Sequence, residues 1–181
     1  MKTKRVSIRK VRQLSKIFAL VVLLVVSFVT QKMTSSVPNP LPSNNIKTSE
    51  IAHVSRVLDG DTIELSDGRK VRYIGIDAPE LHDTDSSKTC FSNEAFIANK
   101  NLVENKDVTL TLDTSNTDRY GRLLRYVYVN TTDVGEDLVR NGFARAKDYP
   151  PDSAHKTSLK ESELFAKEKN VGLWRQCNET M

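Results

Sequence analysis

Three strand-like runs follow one another with almost no chain between them: "IAHVSRVL", then "TIEL" after "DGD", then "KVRYIGI" after "SDGR". Connections this short join antiparallel neighbours, because a parallel return needs a long crossover. Asp59 and Gly60 are therefore expected to form a hairpin turn, with Gly60 free to take a positive φ. Any fold for the chain must start from this meander and close it around a core.

Downstream, "DVTLTLD" (Asp107 to Asp113) and "RLLRYVYV" (Arg122 to Val129) return to strand character. Between the two strand groups a helix is expected, with Ser92 as N-cap and Phe91, Ala95, Ala98 and Leu102 on its inner face. "DVGEDLVR" places Asp133 and Glu136 in capping-box spacing, with Gly142 in position to end the helix. A last helix is expected over about Lys156 to Lys169, with Leu159, Ser162 and Ala166 inward and Trp174 just beyond it. No internal repeat is visible. Five strands with interspersed helices make an α+β domain, and a partly open Greek-key barrel fits them.

The rest of the 181 residues is appendage. Residues 1–30 hold seven of the 27 basic residues and no acid, and they include the apolar run "IFALVVLLVVSFV" from Ile17 to Val29. This is the pattern of an export signal, and the run is short for a membrane span. No A-x-A site follows, so an uncleaved anchor through residues 17–29 stays open beside a cleaved signal peptide. Either way the domain is expected outside the cytoplasm. Residues 31–50 are polar and rich in Pro, Ser and Asn, as a flexible linker is. The domain is expected over 51–177, with a tail at 178–181.

Without residues 1–30 the balance is 20 basic against 23 acidic residues, a net −3. Overall charge therefore gives no nucleic-acid footprint, and any polyanion must be held by local cations or a metal. Two cysteines, Cys90 and Cys177, in an exported chain favour one disulfide, with two thiols as the alternative. Two Cys and three scattered His lack zinc spacing.

Four pieces carry chemistry: Asp61 in "DGDT", Arg72 in "KVRYIGI", Asp77 and Glu80 in "IDAPE", and Arg122 in "DRYGR". Arg72 lies within an apolar strand, so its guanidinium needs a carboxylate or a bound anion. Asp77 and Glu80 flank a proline that fixes the backbone, and like-charged carboxylates held close need a cation or a proton between them. A hard divalent ion on oxygen ligands, Ca²⁺ or Mg²⁺, answers that need. Two arginines can then hold a phosphate while a carboxylate off the metal takes a proton from water. The sum is phosphodiester hydrolysis. Arg72 and Asp77 are five apart and face opposite sides of a regular strand, so sharing a site requires a bend, with Gly75 the obvious place.

These residues resemble the staphylococcal nuclease, or thermonuclease, family. The likeness runs from about Val54 to Trp174 through "VLDGDTIEL", "VRYIGIDAPE", "DRYGRLLRYVYV", "VGEDLVRNGFARA" and "LKESELFAKEKNVGLW". It implies a five-stranded OB-fold β-barrel with three α-helices. It also implies a Ca²⁺-dependent, sugar-nonspecific nuclease that cuts the P–O5′ bond of DNA and RNA and leaves 3′-phosphates.

By the same resemblance, Asp61, Asp77 and the carbonyl of Ala78 are the metal ligands. Glu80 is the general base, and Arg72 and Arg122 grip the scissile phosphate. Arg119, Tyr120 and Tyr149 contact the nucleotide, and Cys90 and Cys177 form the disulfide. "LHDTDSSKTC" has Asp83 and Asp85 where the family has a lysine-rich loop. DNA and RNA are the expected partners, no protein partner is implied, and the chain is expected to be a monomer. An inert OB-type nucleic-acid-binding module is the alternative. It has no use for Glu80, whereas a nuclease requires it.

Overall fold

The computed structural model describes residues 48–85 and 89–177. The expected signal or anchor, the tail and nearly all of the linker lie outside them. The first strand, β1, is Ser49–Asp59; β2 (Thr62–Leu65), β3 (Lys70–Tyr73) and the two-residue β4 (Ile76–Asp77) follow. Helix α1 (Ser92–Val103) leads to β5 (Asp107–Thr111), β6 (Leu123–Val129) and the short β7 (Thr132–Asp133). Then come α2 (Val134–Arg140), β8 (Arg145–Ala146), α3 (Lys156–Lys169) and a one-turn α4 (Leu173–Gln176).

Strands β3, β2, β1, β5 and β6 are neighbours in that order, and a parallel pairing of β3 with β6 joins the ends. The result is the expected five-stranded OB barrel, closed without a free edge. Strand β1 serves two partners: Ser49 to His53 pair with β5, and Val54 to Asp59 pair with β2. Register shifts between Val54 and Arg56 and between Val57 and Asp59 bend it from one to the other, as extra residues in a ladder do. Val54, Ile63, Val71, Val108, Leu110 and Val127 are sealed inside. Outside this barrel β4 and β8 form a two-stranded ribbon.

The helices largely follow the sequence. Asp133 caps α2 by accepting from the Glu136 amide at 3.0 Å, and α3 buries Leu159, Ser162 and Ala166 as expected, and Glu163 besides. Cys90 and Cys177 are bonded across 87 positions, tying the entry of α1 to the end of α4. A loop that long gives roughly 4 to 5 kcal/mol in the chain-entropy account.

Helix α1 departs from expectation. Phe91, with φ 68°, is the N-cap, and Ser92 is the first helical residue. The buried face is Ser92, Ala95, Asn99 and Val103, so the helix is rotated by about one position from the apolar reading. Asn99 is the reason. Its amide accepts from Tyr73 Oη at 2.9 Å and donates to Asp59 O at 3.0 Å. A buried polar bridge between helix and barrel carries no apolar periodicity, so hydrophobic pattern cannot see it.

Candidate active site

The "DGDT" turn is shifted by one residue from expectation. Asp59 pairs with Thr62 across the hairpin, so Gly60 and Asp61 are the turn. Gly60 does not use a positive φ. A Cβ there would lie 2.6 Å from Ala78 Cβ and 3.0 Å from Ala95 Cβ, so glycine is needed for the close approach of the "IDAPE" corner and α1. The same packing holds Asp61 against that corner. Its carboxylate accepts from the Ala78 amide at 2.8 Å and from Thr62 Oγ1 at 3.0 Å.

The bend required between Arg72 and Asp77 is present. Strand β3 ends at Tyr73, and Gly75 takes φ +81° before β4 resumes at Ile76. Arg72 then reaches both aspartates, with Nη1 2.9 Å from Asp61 Oδ2 and Nη2 3.0 Å from Asp77 Oδ1. It also donates to the carbonyls of Ile76 and Tyr73. Asp61 is only 5% exposed, and burial raises its carboxyl above the ordinary range while Arg72 and the Ala78 amide oppose the rise. An unpaired charge here would be untenable, and Arg72 is what makes it tolerable.

Asp59 was expected only to turn the chain. Burial pushes its carboxyl up to about 7, with the Asp61 charge and a hydrogen bond to Glu80 adding to the rise and the Gly60 amide opposing it. Glu80 itself is exposed at the lip. On the far wall Asp118 holds Arg122, accepting from Nε at 2.7 Å and from the Arg122 and Tyr120 amides. An aspartate opening a tight turn and bonding amides two or more residues on is the signal that marks it in the sequence. Arg119 donates to Tyr120 Oη at 2.6 Å, and Tyr120 is 68% exposed.

One cleft of about 480 Å³ collects Arg72, Asp77, Glu80, Arg119, Tyr120, Arg122 and Tyr149 in its lining. Asp61 and Ala78 lie behind it, joined to it through Arg72 and Asp77. Every residue singled out for substrate or catalysis is thus brought to one place from β3, the turn after β4, the 118–122 turn and the loop after β8. A further cation, Lys147, was not foreseen. Its Nζ is 3.0 Å from Asp77 Oδ2, and no sequence pattern marks a contact across 70 positions.

A family model described as staphylococcal nuclease homologue matches residues 70–176, more than half of the chain. The thermonuclease of Staphylococcus hyicus is 31% identical over 158 residues, 86% of this chain and 94% of that protein. The chain belongs to the staphylococcal nuclease family. The thermonuclease of Staphylococcus intermedius is 33% identical over 126 residues, covering 68% of this chain and 75% of that one. Endonuclease YncB of Bacillus subtilis is 35% identical over 137 residues, 73% and 65% of the two chains. The family match includes the Arg72 to Glu80 corner and the Asp118 to Arg122 turn, which form the two walls of the cleft.

The oxygen donors at the corner suit a hard cation and no soft one. Among the described residues no three His, Cys, Asp or Glu side chains stand together as a metal cluster. Asp61, Asp77 and the carbonyl of Ala78 are oxygen donors of the kind a hard ion such as Ca²⁺ takes, with water to complete a shell. The donor chemistry fits the ion, with Arg72 and Lys147 as its competitors for the same carboxylates.

Proposed function

We propose that the chain is a Ca²⁺-dependent, sugar-nonspecific nuclease that hydrolyses the P–O5′ bond of DNA and RNA and leaves 3′-phosphate ends. The observation that carries this reading is the convergence on one cleft of two arginines and an exposed glutamate from segments 42 residues apart. The thermonuclease and endonuclease names of the relatives support it.

Asp61, Asp77 and the Ala78 carbonyl would hold Ca²⁺, and the chemistry it would supply when bound is polarisation of the phosphate. Glu80 stands at the solvent lip, where it takes the proton of the attacking water. Arg72 lies at the inner end of the cleft and Arg122 on the far wall, and together they hold the phosphate as charge builds on it. Asp118 ties Arg122 by Nε, which leaves the outer edge of the guanidinium to the phosphate. Tyr120 and Tyr149, both exposed, offer rings to a base or sugar. The N-terminal run "IFALVVLLVVSFV" supports export of the enzyme, secreted or tethered. Among the described residues no helix is long and apolar enough to cross a membrane.

Digestion of plasmid and RNA with Ca²⁺, Mg²⁺ or chelator tests the reading. Wild type should cut both with Ca²⁺, Glu80→Gln should lose at least about 10²-fold, and Arg122→Ala should lose more, as removal of a preorganised charge does. Binding without any Ca²⁺-stimulated cutting would instead identify an inert binding module.

A further inference from the structure

We propose that Arg145 and Lys147 form a second phosphate subsite, so that a polynucleotide strand runs across Asp77 and Glu80 with a phosphate held on each side. This rests on the nuclease reading and extends it, because a strand gripped on both sides needs no free end. The site is then a groove for internal cleavage.

The β4–β8 ribbon places these cations. Asp77 is directly opposite Arg145 in the antiparallel register, and directly opposed residues project from the same face. Lys147, two positions on, returns to that face. Its amide donates to Gly75 O at 2.8 Å, so the pairing continues one step past the ribbon. Its ammonium is 3.0 Å from Asp77 Oδ2 on a side chain that is half exposed.

Both cations line a second hollow of about 380 Å³, with Ala78, Pro79 and His82. Among the described residues, this hollow and the 480 Å³ cleft share Asp77 and Glu80 and no other lining residue. The hydrolytic corner is thus the saddle between two hollows: Arg119 and Arg122 stand in one, Arg145 and Lys147 in the other. Asp83 also lines the second, where its carboxylate accepts from the Asp85 amide at 2.9 Å.

The ribbon is anchored from behind. Buried Glu163 of α3 accepts from the Ala146 amide at 3.2 Å and is neutralised by Lys160 and Lys167. The Arg145 guanidinium lies 5.4 Å from the Trp174 ring centre. A positioned pair of cations on a fixed strand recognises the charge of a sugar-phosphate backbone and no base, which suits a sugar-nonspecific cutter.

The test uses the double variant Arg145→Gln/Lys147→Met in three assays. Anisotropy with a 12-nucleotide phosphorothioate oligothymidylate, in chelator, reads binding without cutting. Cleavage of circular single-stranded DNA reads a substrate with no ends. Hydrolysis of a nitrophenyl ester of thymidine phosphate reads the bond-breaking corner with one phosphate. The subsite predicts oligonucleotide affinity about tenfold weaker and a salt slope shallower by about 1, the mark of lost backbone phosphate contacts. It also predicts that KM on the circle rises at least tenfold more than on the ester, and that Arg145→Lys/Lys147→Arg restores binding.

Unchanged affinity, or an equal loss on circle and ester, would overturn it. If wild type cuts neither substrate while the double variant still loses oligonucleotide affinity, the nuclease reading falls and the subsite stands.

Discussion

Arg72 and Arg122 reach the same cleft, yet they are held in opposite ways. Arg72 is nearly buried and spends its donors on Asp61, Asp77 and two carbonyls brought together by the barrel and the Gly75 bend. Arg122 is held by Asp118, four residues earlier in one exposed turn. The floor of the cleft is a tertiary construction in which each charge is tolerable because of the others. The rim is a local one. The two should therefore fail differently, the floor through stability and chemistry together, the rim through substrate and chemistry with the fold intact.

Arg72→Met gives the largest expected effect on the fold. It strands Asp61 among buried neighbours, and breaking a buried pair costs about 3 to 5 kcal/mol. Urea melts check this, and Asp61→Asn in the Arg72→Met background should recover much of the loss in a double-mutant cycle. A change under about 1 kcal/mol would erase the contrast between floor and rim.

Gly75→Ala tests the bend that lets the floor form. The new methyl would sit 2.5 Å from Leu159 Cδ1 at φ +81°. A cost of about 2 kcal/mol follows from the overpacking and the left-handed backbone together. Thermal melts of Gly75→Ala alone and with Leu159→Val separate the two causes, since only the clash is relieved by the smaller partner.

The smallest effect on the fold belongs to the rim. Arg119→Ala should leave stability within about 0.5 kcal/mol, because the side chain is exposed and, among the described residues, is bonded to its neighbour Tyr120. It should still weaken oligonucleotide binding. A melting shift comparable to that of Arg72→Met would show that the rim is structural after all.

Most of the rim could be read from the chain: Arg119, Tyr120 and Arg122 were singled out there, and Asp118, which orients Arg122, was not. "TDRYGR" contains its turn, its two arginines and the aspartate that orients one of them, because all of its contacts are local. Helices α2 and α3 were equally legible, since Asp133, Leu159 and Ala166 act through capping and through the 3.6-residue period. The floor was legible only in composition. Its residues stood out as carboxylates and an arginine that needed one another, and the bend at Gly75 followed from strand geometry.

What the sequence could not show was which close approach each residue serves. Gly60 looked like a positive-φ turn residue and is instead the point where Ala78 and Ala95 nearly touch the backbone. Asn99 had no place in the apolar reading of α1 and is the bridge that turns the helix onto the barrel. Asp59 looked like a turn residue alone and is buried enough for its carboxyl to be pushed up to about 7, and Lys147 meets Asp77 from the other end of the domain.

The sequence by itself determined the chemistry available: the carboxylates, the arginines, the order of strands and helices, and the need for one bend. Local periodicity and the cost of an unpaired charge are properties of the chain and can be read from it. Tertiary structure decided which hollow each cation enters, and that the Asp77–Glu80 corner lies between two of them. Closure of the barrel and pairing of a two-residue ribbon bring together residues 70 positions apart, and no local rule encodes that distance.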